Sequence, residues 1–147
     1  LVIHLTVVLV PVTAMTAFVF AAVRRWRWML RWPLAVLAVG SLVSTGVSVL
    51  AGKAFVEARP QLARLVSEHE EAGELLLVCT AVFTVVALVA AGTLGGPTAM
   101  ASGRGMRRGS SRPVEVGVSA LLTVAAAACL YQVVRTGDLG ARAVWGG

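Results

Sequence analysis

Four long apolar runs constrain this chain more than any other feature. They lie at about 1–23, 32–53, 72–94 and 114–134 and consist mainly of Leu, Val and Ala. Each has the roughly 20 residues that a helix needs to cross about 30 Å of hydrocarbon. The chain is 58% apolar and only 14% charged, whereas a soluble domain has close to half and about a quarter. The excess is concentrated in the four runs. The expected fold is therefore all-α: one membrane domain over 1–147, an integral up-down four-helix transmembrane bundle.

The connections support this reading. Pro11 should kink the first helix, with Thr6, Thr13 and Thr16 near the freed carbonyl. The segment Arg24-Arg25-Trp26-Arg27-Trp28-Met29-Leu30-Arg31-Trp32 mixes arginine with tryptophan. In a soluble protein of net charge +6 that would suggest nucleic acid. Between two spans it reads instead as an interfacial aromatic belt with basic anchors, so no nucleic-acid partner is expected. Pro33 suits the first turn of the second helix. Along that helix Gly40, Ser44, Ser48 and Gly52 form a stripe of small residues, the kind of seam that lets helix backbones approach. Pro60 should open a further helix that runs into the third span. On it Leu62, Leu65, Val66, His69, Gly73 and Leu76 share one face, aimed at the bundle. Residues 98–113 form a basic loop rich in Gly and Ser. The segment 135–147 is too short for another span.

Topology follows from the arginines. Segments 24–31 and 95–113 carry four arginines each and no acid. The opposite side holds five basic residues (Lys53, Arg59, Arg64, Arg135 and Arg142) and six of the seven acids. The bias makes both arginine segments cytoplasmic and both termini extracytoplasmic, in a multi-pass protein of the inner (plasma) membrane. The chain does not open with methionine, so a short N-terminal stretch is expected to precede it, and no signal peptide is recognisable.

Both histidines, His4 and His69, then lie at the extracytoplasmic face. His69 stands in Ser67-Glu68-His69-Glu70-Glu71-Ala72-Gly73-Glu74, which holds four of the seven acids. The two histidines belong to helices diagonal in such a bundle, about 11–14 Å apart when neighbours pack at 8–10 Å. Two imidazoles reaching inward would hold a b-type haem. A divalent metal on His4 and His69 would need Asp138, Glu70 or Glu74 to complete its shell. The bland alternatives are interfacial histidines bonded to a loop carbonyl, or a pH-sensitive contact with a carboxylate. Cys79 and Cys129 read as small buried side chains, on neighbouring helices where a disulfide stays open. No Cys-x-x-Cys pair, phosphate-binding loop, nucleophile elbow or His-Glu-x-x-His motif occurs, so no catalytic residue is assigned.

Three short motifs give the chain a family resemblance. Val2-Ile3-His4 leads into an apolar helix, His69-Glu70-Glu71-Ala72-Gly73 precedes the third span, and Gly137-Asp138-Leu139-Gly140 and Trp145-Gly146-Gly147 follow the fourth. In these the chain resembles a bacterial four-span membrane family, domain-of-unknown-function family twenty-two thirty-one. Many members carry C-terminal histidines where this chain has Asp138 and Trp145. Some are fused to Rieske iron–sulfur or cytochrome domains, which implies a redox neighbourhood.

Two functional readings stay open. One is a redox-associated membrane protein holding haem b or a divalent metal through His4 and His69. The other is a cofactor-free accessory or scaffold subunit of a larger membrane complex of respiratory type. The bilayer is the expected partner of either, together with a homo-oligomer or a larger complex.

Overall fold

The computed structural model describes residues 2–94 and 111–145. Among these residues all regular structure is helical: α1 (Val2–Ala22), α2 (Arg27–Ala58), α3 (Ala63–Leu94) and α4 (Arg112–Trp145). Single 3₁₀ turns, Arg24–Trp26 and Pro60–Leu62, lead into α2 and α3. All four helices are long and apolar enough to cross a membrane. Each packs against two neighbours, in the cyclic order α1, α2, α3, α4. Contacts at the ends show the alternation of direction. The end of α1 and the start of α2 meet the start of α4 through Arg24, Arg27 and Glu115. At the opposite end, the tail of α2 meets the start of α3 through Lys53 and Glu74.

The helices outrun the apolar segments. At 1.5 Å per residue, α2, α3 and α4, with 32, 32 and 34 residues, are about 48–51 Å long against about 32 Å for α1. The surplus falls mostly at the histidine end, where the three longer helices carry most of the polar residues. One local expectation is corrected. The second helix starts at Arg27, so Pro33 is its seventh residue and not in its first turn. There it deletes the bond to the Met29 carbonyl. The glycine-rich segment after the fourth span is the last part of α4, helical to Trp145.

The bundle is apolar both inside and outside. Val10, Phe20, Leu34, Leu76, Phe83 and Leu122 fill the interior with a set of alanines between them. Yet Val36, Leu50, Val85, Val124 and Val134 point outward, each more than 60% exposed. A soluble monomer rarely shows a continuous apolar surface of this extent. Trp26, Trp28 and Trp32 stand exposed at the arginine end and Trp145 at the other, as in interfacial belts. Arg25 and Arg31 lie over the rings of Trp26 and Trp32, at 5.6 and 5.0 Å from the centroids.

Between apolar surfaces, hydroxyls help to set which helices meet. The small-residue stripe is largely the α1–α2 seam. Thr6 Oγ1 lies 3.2 Å from Ser44 Oγ and 3.0 Å from Ser48 Oγ, and Thr13 Oγ1 lies 2.7 Å from Ser41 Oγ. The proton positions follow by elimination. Ser44 donates to the Ser41 carbonyl, so Thr6 gives its single proton to Ser44, and the Ser48 hydroxyl lies within reach of both Thr6 and the Ser44 carbonyl. Thr13 donates to the Leu9 carbonyl at 2.7 Å, so Ser41 donates to Thr13. Thr16 donates to the Val12 carbonyl at 2.8 Å. None of the three threonines therefore bonds the Val7 carbonyl that Pro11 frees. Thr84 ties α3 to α2 through the Ala38 carbonyl at 3.0 Å.

Candidate functional site

The two polar ends of the bundle differ in construction. At the histidine end, Ala72 on α3 faces Gln132 and Thr136 on α4. Its carbonyl accepts from Gln132 Nε2 at 3.1 Å and from Thr136 Oγ1 at 3.2 Å. One turn earlier on α3, His69 continues the ladder, with Nδ1 3.0 Å from the Thr136 carbonyl oxygen. Its ring lies across Gly140, where an added Cβ would come within 3.0 Å of His69 Cε1. Gln132, Thr136 and Gly140 recur every four residues, so one face of α4 receives the whole ladder. Lys53 Nζ and Glu74 Oε1 are 2.5 Å apart, and Arg142 and Asp138 pair at 2.8 Å within α4. An open cleft of about 460 Å³ lies nearby, lined by Glu68, Glu71, Ala72, Leu75, Arg135 and Leu139.

Neither histidine is packed inside the bundle. His69 has the register of Ala72 and Leu76, as the spacing requires, but it stands where the packed interior ends and is exposed. The side chains of Leu62 and Leu65, assigned to the same face, lie outside the described residues. His4 is exposed as well. The buried face of α1 is Thr6, Val10, Thr13, Ala17 and Phe20. His4 is nine residues from Thr13, about two and a half turns, which sets it on the opposite side. Among the described residues no group of three or more His, Cys, Asp or Glu side chains is placed to hold a metal. Of the proposed additional ligands, Asp138 is paired with Arg142 and Glu74 with Lys53. Both cysteines are free thiols, Cys129 buried and Cys79 partly so.

The arginine end holds a residue whose role the sequence did not reveal. Arg27 is 6% exposed. Its Nε donates to the Phe20 carbonyl and one terminal nitrogen to the Ala21 carbonyl, both at 2.9 Å. These are among the orphan carbonyls of the last turn of α1, so Arg27 caps that helix from the start of the next. The other terminal nitrogen is 2.5 Å from Glu115 Oε1, and the first also reaches Ser119 Oγ at 3.1 Å. The guanidinium sits 5.7 Å from the centre of the Phe20 ring. One side chain thus joins α1, α2 and α4. Arg24 binds the second oxygen of the same carboxylate at 2.6 Å. A signal was present: Glu115 is the single acid that the sequence puts at the arginine end. The loop assigned to 95–113 lies outside the described residues up to 110.

No protein-family model, curated protein or solved structure matches the chain.

Proposed function

We propose that the chain is a multi-pass protein of the inner (plasma) membrane that serves as a cofactor-free accessory or scaffold subunit of a larger membrane complex. The arginine end is cytoplasmic in this reading and both termini are extracytoplasmic, as the excess of arginine there argues. One observation carries it: among the described residues, every buried side-chain nitrogen and oxygen is already bonded within the bundle. Thr6, Thr13, Arg27, Thr84 and Gln132 all act on a neighbouring helix. The interior chemistry is that of helix assembly. The resemblance to the four-span family, through the segments at His4, His69 and Gly140, is part of the proposal, and the redox neighbourhood it implies favours the second reading below.

A second reading has one specific support. With Nδ1 engaged by the Thr136 carbonyl, the His69 ring is oriented and Nε2 is its remaining nitrogen, the usual arrangement of a ligating imidazole. Haem b or a divalent metal would then be held at the extracytoplasmic rim by His69, and His4, exposed on the outward side of α1, would not reach it within the same chain. Gentle solubilisation of membranes, native electrophoresis and an optical spectrum separate the two. The accessory reading expects a colourless chain migrating in an assembly larger than itself. A Soret band that shifts on dithionite and disappears in His69→Ala would overturn it in favour of the second.

A further inference from the structure

At the arginine end, an open cleft of about 620 Å³ lies between α1 and α4. Its mouth is cationic. Arg24, Arg27 and Arg112 line it with a single carboxylate, Glu115, so three positive charges and one negative leave two in excess. Arg27 is buried and engages the carboxylate; the Arg24 side chain is 70% exposed, and Arg112 is exposed at the first position of α4. Below the mouth the walls turn apolar. Phe18 and Ala21 on α1 and Val116 and Ala120 on α4 line the cleft there, with the hydroxyls of Ser119 and Thr123 among them. The exposed Trp26, Trp28 and Trp32 mark the same end as the level of lipid headgroups.

A ligand for this cleft needs a negative head and an apolar tail, in that order along the bundle axis. We infer that it is a binding site for an anionic phospholipid of the surrounding leaflet. Its phosphate sits between Arg24 and Arg112, and one acyl chain lies in the groove between α1 and α4. The Arg27–Glu115 pair forms the floor under the headgroup and fixes the Arg24 side chain on the rim. A basic recess between spanning helices is the physical form that headgroup recognition takes in membranes. A soluble anion would use the arginines and leave the apolar walls empty. A zwitterionic lipid would fill the groove and leave the two excess charges unmatched.

This inference rests on the membrane-spanning reading, so the test begins there. Membranes containing the full chain are washed with alkaline carbonate; release of the chain would overturn the spanning reading itself. If the chain stays in the membrane, it is purified in detergent and titrated with phosphatidylglycerol or phosphatidylcholine of identical acyl chains. Bound lipid is counted by native mass spectrometry. The expected result is a preference of about tenfold or more for phosphatidylglycerol, since each arginine near a headgroup contributes on the order of fivefold. The Arg24→Gln/Arg112→Gln variant should bind the two lipids equally while keeping the Arg27–Glu115 pair. Ala120→Leu, which fills the groove, should weaken both. Equal binding by the unaltered chain, or a preference that survives the double substitution, would overturn the site.

Discussion

Arg27 and Glu115, 88 residues apart in sequence, meet at 2.5 Å with side chains only 7% and 14% exposed. The pair locks the α1–α2 turn onto the first turns of α4. Removing one partner from a buried pair leaves a charge without its counter-ion and typically costs about 3 kcal/mol or more. Glu115→Ala is therefore expected to lower the thermal midpoint of the detergent-solubilised protein steeply. Arg24→Ala, at the exposed side of the same carboxylate, should cost under about 1 kcal/mol. Equal shifts for the two substitutions would show that the buried pair is not what holds this corner.

This corner also marks where sequence reading reaches its limit. An arginine among tryptophans at a span boundary reads as an interfacial anchor, and Arg25 and Arg31 do stack on neighbouring tryptophan rings. Arg27 differs only because the Phe20 and Ala21 carbonyls and Glu115 converge on it, and two of those partners are backbone atoms without a sequence signature. By contrast, the four helices were legible because run length alone constrains them, and the small-residue stripe pointed to a seam that Ser44 and Ser48 make with Thr6. The orientation of His4 was also within reach. The spacing of Thr6, Val10, Thr13 and Ala17 fixes the inward face of α1 and leaves His4 opposite. The continuation of α4 through Gly137 was not, since glycine more often ends a helix than extends one.

The direction of the Thr13–Ser41 hydrogen bond makes the two substitutions unequal. Thr13→Val removes the acceptor of the Ser41 proton and the donor to Leu9 together. Ser41→Ala leaves the Thr13 donor in use and empties only a lone pair. Thr13→Val should cost about 1 kcal/mol and Ser41→Ala about half of that, in line with interhelical bonds in membranes. Unfolding from micelles in graded sodium dodecyl sulfate would measure both. A larger loss for Ser41→Ala would reverse the assigned direction.

The thiols offer a test of packing that needs no change in stability. Cys129 is fully buried and Cys79 is partly accessible, with no disulfide between them. Thiols shielded from solvent react slowly. In mild detergent, maleimide should modify Cys79 well before Cys129, and denaturation should expose the second site. The fast phase should vanish in Cys79→Ser. Simultaneous labelling of both positions would contradict the interior placement of Cys129 at the α3–α4 seam.

The most discriminating pair is Gly137 and Gly140, three residues apart on α4. An added Cβ at Gly137 meets nothing within 4 Å, whereas at Gly140 it would come within 3.0 Å of the His69 ring. Glycine to alanine inside a helix is favourable by about 1 kcal/mol where space allows. Gly137→Ala should therefore stabilise by close to that amount. At Gly140 the same gain is opposed by displacement of the ring and loss of its bond to the Thr136 carbonyl, worth about 1 kcal/mol, so the net change should be near zero. With His69→Ala already in place, the obstruction is gone and Gly140→Ala should become as favourable as Gly137→Ala. Thermal unfolding of the four-member cycle formed by Gly140→Ala and His69→Ala reads the coupling directly. Additive effects would mean that the imidazole does not rest on α4, and the oriented ring behind the ligand reading of His69 would go with it.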